Sequence, residues 1–237
     1  SPVLAKSKVR LQVLSIDASA TRSMPDNQEN TMTQLLDVHP THPQKRLLDM
    51  AAKALQQGKL VVYPTETSYA VACHIGDKGA LERLVALRRL PKDHQFALIC
   101  RDLSELGSYA RVENGAYRIL KRNTPGPFTF VLQATKEVPK RLVHAKKKTI
   151  GLRVPEHPVA QALLEVMGEP LLSTTLRLPD VAEEDGPMQD PQDILQALTK
   201  RVDLILDCGM GAAESSTIVD FTGDEPQVSR QGLGILR

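Results

Sequence analysis

Hydroxyl side chains bunched at the ends of apolar runs, with arginines spaced among them, are the residues of this sequence best suited to chemistry. Thr65 and Thr67 follow the run Leu60, Val61, Val62 and Tyr63, Ser173 and Thr175 close a run that begins at Leu171, and Ser216 precedes Thr217 to Phe221. Arg153 and Arg230 fall near the ends of other such runs. If these groups converge they bind phosphate, because hydroxyls satisfy phosphate oxygens while guanidinium forks add charge and bidentate geometry. If they do not converge, Ser and Thr are ordinary strand residues, and composition leaves both readings open. Glu66, between two threonines, is the nearest carboxylate and the candidate general base for any hydrolysis in such a pocket.

Other chemistries find less support. The sequence has neither a Gly-x-x-x-x-Gly-Lys-Ser/Thr loop nor a Gly-x-Gly-x-x-Gly after a strand, so any nucleotide is held in another way. His39, His42, His74, His94, His144 and His157 are dispersed, and no metal-ligand spacing links them. Cys73, Cys100 and Cys208 are odd in number and widely spaced, which predicts neither disulfide framework nor zinc site and suits a reducing cytoplasm. The formal net charge of +2 gives the whole chain no strong pull on nucleic acid. Locally, Lys140, Arg141, Lys146, Lys147 and Lys148 form a dense basic run, read either as a solvated surface or as a track for an RNA backbone.

The elements that must position these groups alternate. Leu60 to Tyr63 is too short for a helix, and its β-branched and aromatic residues predict a strand buried on both faces, stopped at Pro64. Thr65 to Tyr69 are then expected to project from its carboxyl end, where α/β folds place ligand pockets, or to form a simple polar turn. Helical spacing predicts helices over 44–57, 79–90, 113–122, 158–167 and 194–199, and Asp102 with Glu105 predicts a capped helix start. Strands are expected at 96–100, 130–132, 149–154, 171–176, 203–206 and 217–221, with a final edge strand carrying Arg230. The stiff loop 123–129, two prolines around Gly126, reads as a ligand approach or as a rigid corner. Such alternation implies an α/β sheet.

At 237 residues, 41% hydrophobic and 24% charged, the chain has the composition of one soluble domain with an extension. The boundary is expected at Met32: 1–31 reads as a dispensable appendage, with a weak short-strand pattern over 10–16, and 32–237 as the domain. Residues 178–191 read as an acidic surface loop. No apolar run reaches the length of a membrane-spanning helix, and a cytoplasmic location is expected.

Several ordered segments carry a resemblance: Tyr63-Pro-Thr-Glu-Thr-Ser-Tyr69, Pro125-Gly-Pro-Phe-Thr129, Ile150-Gly-Leu-Arg-Val-Pro155, Ser173-Thr-Thr175, Ser216-Thr-Ile-Val-Asp220 and Arg230-Gln-Gly232. From His39 to Gly232 the chain resembles the YrdC-like family, which includes the threonylcarbamoyl-adenylate synthases of tRNA modification. Leu90-Pro-Lys-Asp-His-Gln-Phe96, Cys100-Arg-Asp-Leu-Ser-Glu-Leu106 and Asn123-Thr-Pro-Gly126 resemble its YciO branch. The resemblance implies an open twisted mixed β-sheet with flanking helices and a concave, positively charged cavity. It implies ATP or AMP as ligand, with Mg accompanying ATP, L-threonine as a further substrate, and double-stranded RNA or tRNA as a partner.

Carried over by motif, Thr65, Thr67 and Tyr69 would line the threonine or carbamoyl side, and Arg153, Ser173, Thr175, Ser216 and Arg230 would hold nucleotide or carboxylate. The synthases carry Lys-x-Arg where this chain has Arg88-Arg89-Leu90, and Ser-x-Asn where it has Thr175-Leu176-Arg177. Arg88 is the stand-in for the lysine, Leu90 cannot replace the arginine, and Arg177 either compensates from another strand or suits a product that has already lost pyrophosphate. The implied chemistry is therefore a weakened, altered or reversed adenylate reaction, synthase or hydrolase, with RNA binding without catalysis as the alternative.

Overall fold

Val61–Pro64 (β2) is buried at every position, as a strand with apolar residues on both faces must be. A computed structural model describes residues 32–180 and 186–237, and Thr31–Arg237 forms one compact unit. The expected extension 1–31, with its 10–16 strand pattern, and the centre of the acidic loop at 181–185 lie outside the described residues.

β2 stops at Pro64, as expected; Pro64 pairs with Tyr69, and the chain reverses through 65–68 into Tyr69–His74 (β3), antiparallel to β2. Thr65 to Ser68 are therefore a tight hairpin turn, and Tyr69 belongs to a central strand. The sequence reading missed β3 and also Gln34–Asp37 (β1), the edge strand parallel to Leu204–Asp207 (β8). The remaining strands are Ala97–Ile99 (β4), Phe128–Gln133 (β5), Thr149–Arg153 (β6), Leu171–Thr175 (β7), Thr217–Asp220 (β9) and Gln227–Arg230 (β10). They form a ten-stranded mixed open sheet in the order β1-β8-β2-β3-β7-β4-β6-β5-β9-β10. The final strand lies at the edge, as expected.

Six helices among the described residues divide between the two faces. Lys45–Gln56 (α1) and Pro158–Met167 (α5) bury Leu48, Leu55, Leu163 and Leu164 with the β2 and β3 side chains Tyr63 and Ala72. Lys78–Arg88 (α2), Leu103–Tyr109 (α3), Asn114–Asn123 (α4) and Pro191–Leu198 (α6) contribute Leu84, Leu106, Leu120 and Ile194 to the opposite core, with Val62, Val71 and Leu152. Burying each such side chain contributes about 1.5–3 kcal/mol. The expected cap is present: Asp102 accepts from the Glu105 amide at 2.8 Å, while the Glu105 carboxylate turns back to the Arg101 amide at 2.6 Å.

The first of these helix pairs leaves part of its sheet face uncovered, over β4, β6, β5 and β9. Register runs Ser173, Ala97, Gly151, Val131 and Asp220 across five strands in one row. Small residues in the middle of that row leave room above the sheet, and this is where the cavity lies.

Candidate functional site

A cavity of about 470 Å³ opens over this row, floored by Ala70, Ala97, Ile99, Val131 and Ile218. Arg153 enters it from the end of β6, nearly buried, with side-chain exposure of 11% against 15% for its partner Glu66. Its Nη2 donates to Glu66 Oε1 at 2.6 Å and to Thr67 Oγ1 at 2.9 Å. The Nε of Arg153 is buried and donates to nothing among the described residues.

The hairpin turn explains why threonines stand there. Thr65 Oγ1 donates to the Ser68 carbonyl at 2.7 Å and lies 3.0 Å from Thr67 Oγ1, so the turn closes on its own side chains and presents Thr67 to Arg153. Thr65 and Thr67 are buried behind the cavity wall, and Ser68 takes the place facing it. Glu66 has both oxygens engaged, the second accepting from the Glu156 amide at 3.2 Å.

On β7, Ser173 and Thr175 line the cavity two residues apart on one face. Ser173 Oγ lies 2.5 Å from Tyr63 Oη. Burial pushes the Tyr63 phenol up to about 12, against the smaller opposing pull of the Ser173 hydrogen bond and Arg153. Across the sheet, Arg230 donates through Nη2 to the Ser216 carbonyl at 2.8 Å and to its hydroxyl at 3.1 Å, and Ser216 Oγ reaches Thr129 Oγ1 at 2.8 Å. Burial lowers the Arg230 pKa, and the charges of Arg177 and Arg153 push the same way.

Of the ten residues expected to bind ligand, Arg153, Ser173, Thr175 and Arg230 line the cavity, while Thr65, Thr67 and Ser216 hold those that do. Arg88 stands aside, its Nη1 donating to the Arg177 carbonyl and its Nε buried without a partner among the described residues. Burial lowers its pKa, with the Arg177 charge second. Tyr69 faces the opposite core: its hydroxyl donates to the Gly209 carbonyl at 2.8 Å and accepts from the Cys208 amide at 3.0 Å. A Cβ on Gly211 would come within 2.7 Å of the Tyr69 ring, so the loop after β8 is fitted to that side chain.

The basic run divides. Lys147 lines this cavity, whereas Lys140, Arg141 and Lys148 line an adjoining one of about 900 Å³, and Lys146 lines neither. Arg141 also donates to the Ile75 carbonyl at 2.6 Å. In the loop 123–129 Gly126 donates to the Val154 carbonyl at 3.0 Å and only Thr129 reaches this cavity, while Asn123 and Pro125 to Phe128 line a separate one.

Sequence reasoning missed Asp93, His94, Gln95, His144 and Asp220, which also line the cavity. Asp93, His94, Gln95 and Asp220 nonetheless sit inside segments that carried the family resemblance, and that was the available signal. Among the described residues no group of three or more His, Cys, Asp or Glu comes together as a metal site, and no helix is long and apolar enough to cross a membrane.

Residues 53–232 match the family model Sua5, YciO and YrdC, whose description is telomere recombination. The uncharacterized protein YciO of Escherichia coli K12 is 49% identical over 203 residues, 86% of this chain and 97% of that one. The crystal structure of E. coli YciO superposes with a TM-score of 0.82 at 48% identity, covering 86% of this chain and 98% of that chain. A threonylcarbamoyl-AMP synthase of Vibrio vulnificus is 34% identical over 134 residues, 55% of this chain and 72% of that protein. The fold alone is shared with Pyrococcus abyssi Sua5 crystallised with L-threonine, at a TM-score of 0.77 and 24% identity, covering 84% of this chain and 58% of that one.

Proposed function

The chain belongs to the Sua5, YciO and YrdC family, and from that premise we propose that its cavity binds an adenylate and hydrolyses a carbamoyl adenylate rather than making one. The observation that carries this reading is the charge lining the cavity. Lys147, Arg153 and Arg230 face Asp93 and Asp220, and Glu66 already pairs with Arg153. An ATP triphosphate brings more negative charge than these cations balance. A monophosphate ester needs less. Ser173, Thr175 and Arg230 are the groups suited to its oxygens, with the Arg153 charge beneath.

Arg88 and Leu90 support the same direction. Arg88 is held by the Arg177 carbonyl, and Leu90 has no donor to offer a departing pyrophosphate. Losing one such donor typically costs about 10²–10³ in rate. Hydrolysis of an adenylate forms no pyrophosphate and needs neither group.

Calorimetric titration with AMP, ATP and L-threonine, followed by assay of threonylcarbamoyl-adenylate formation and breakdown, tests the reading. Binding of AMP at least as tightly as ATP, with release of AMP from the adenylate, is expected. No affinity for any adenine nucleotide, or net synthesis of adenylate with pyrophosphate, would overturn it.

RNA binding, double-stranded or tRNA, is the second reading. It is favoured by Lys147 on the cavity and Lys140, Arg141 and Lys148 on the adjoining one, which place basic groups along two neighbouring concavities.

A further inference from the structure

Hydrolysis requires a group that takes a proton from water, and most candidates around the cavity are already engaged. Both oxygens of Glu66 accept hydrogen bonds, from Arg153 and from the Glu156 amide. Asp220 Oδ1 accepts from the Thr222 amide at 2.8 Å and hydroxyl at 2.6 Å. His144 Nδ1 accepts from the Lys147 amide at 3.2 Å. Asp93 is exposed to solvent.

His94 differs from all of these. It is half-buried and lines the cavity, with its ring edge-on to Phe96 at 5.2 Å and its backbone amide tied to the Pro91 carbonyl at 3.1 Å. Among the described residues no hydrogen bond reaches either ring nitrogen. The ring thus packs against Phe96 while its basic nitrogen stays without a partner among the described residues.

Resting on the hydrolytic reading above, we propose that His94 is the proton acceptor of this site. As the water oxygen bonds to the adenylate phosphorus, a water proton passes to the imidazole. The bond from phosphorus to the bridging acyl oxygen breaks, and the carbamate leaves with that electron pair. AMP and the carbamate are the products, and the imidazolium returns its proton to solvent.

The electrostatic setting suits the role. Burial and the Arg88 charge lower the His94 pKa, Asp93 opposes them, and His144 and Lys147 face the same cavity. The imidazole is therefore neutral at pH 7, the form that accepts a proton.

The test is turnover of threonylcarbamoyl adenylate, supplied by a threonylcarbamoyl-AMP synthase, across pH 5 to 8 with native protein, His94→Gln and Asp93→Asn; AMP titration checks that each variant folds. A fall in kcat of about 10²-fold or more in His94→Gln, with AMP affinity unchanged, is expected for a lost general base. The native acid limb should disappear in that variant and move to lower pH in Asp93→Asn, where a neighbouring negative charge is gone. Native turnover with an unaltered rate and pH profile in His94→Gln, or an acid limb unmoved in Asp93→Asn, would overturn the assignment alone. No turnover by the native chain would overturn the hydrolytic reading and the assignment with it.

Discussion

Replacing Glu66 disturbs Arg153 before it disturbs any proton transfer, because each Glu66 oxygen already holds a donor of the protein. In Glu66→Gln the amide oxygen still serves Arg153, but the NH₂ group cannot accept from the Glu156 amide. The Glu156 amide is exposed and turns to water, so the loss of about 1–3 kcal/mol expected in urea unfolding comes from the nearly buried Arg153 charge, left without its counter-charge. Adenylate turnover should fall less than tenfold, well short of the ~10²–10⁴ that removal of a general base costs. A larger fall at unchanged AMP affinity would return Glu66 to the chemistry. Arg153, Ser173, Thr175 and Arg230, which the sequence resemblance assigned to nucleotide or carboxylate, line one cavity. That resemblance could not separate Tyr69 from them, because a strand alternates its faces and a register is invisible in one chain. Tyr69 follows a turn of four residues, and that turn sends its ring into the opposite core.

Among the elements, α5 carries a pH-sensitive start. His157 caps it, with Nδ1 accepting from the Val159 amide at 3.2 Å, and Pro158 follows at the first helical position. Burial lowers the His157 pKa, opposed by Glu66, and a protonated ring cannot accept that hydrogen bond. Since the folded pKa lies below the unfolded one near 6.5, this contribution is complete above that value and is lost as pH falls through the folded pKa. In His157→Asn the cap remains without a titrating ring. Thermal unfolding of the variant should therefore lose less stability between pH 7 and pH 5 than the native chain, by about 1 kcal/mol, the ordinary worth of a cap; equal losses would remove His157 as the cause. Gly232 constrains the other side of the site. A Cβ there would meet the Ser215 carbonyl oxygen at 2.2 Å and the Ser216 carbonyl carbon at 2.6 Å. Gly232→Ala must shift the backbone that holds Arg230, and AMP affinity should fall at least tenfold while α5 and its core stay folded; unchanged affinity would separate Arg230 from the ligand. These elements were largely legible: α5, with Gly168 closing it in the left-handed conformation, follows its sequence pattern residue for residue. β3 was not, because Tyr69-Ala-Val-Ala-Cys-His follows the hydroxyl-rich turn directly and alternates large core residues with alanines whose smallness reflects the covering layer of α1 and α5.

At the scale of the whole molecule, two adjoining concavities differ in charge, one over the incompletely covered sheet face and the other among residues 92–96 and 135–148. The first carries Lys147, Arg153 and Arg230 against Asp93 and Asp220, whereas the second carries Lys92, Lys136, Lys140, Arg141 and Lys148 against Asp93. A small adenylate and an RNA backbone therefore make different demands on the same surface. The overall charge of +2 is too small to draw RNA without such local groups. Lys140→Gln, Lys146→Gln and Lys148→Gln, combined, remove three cations without altering a residue that lines the first cavity. If RNA runs along the basic tract, each lost phosphate contact should lower the slope of log affinity against log salt by about 0.7–0.9. The combined variant should then bind RNA more weakly at low salt and with a flatter salt dependence, while AMP binds as before. Lys147→Gln, by contrast, should weaken both ligands, because Lys147 alone of the run reaches the first cavity. An RNA affinity and salt slope indifferent to all four lysines would leave the run as solvated surface and the adenylate cavity as the reading that stands.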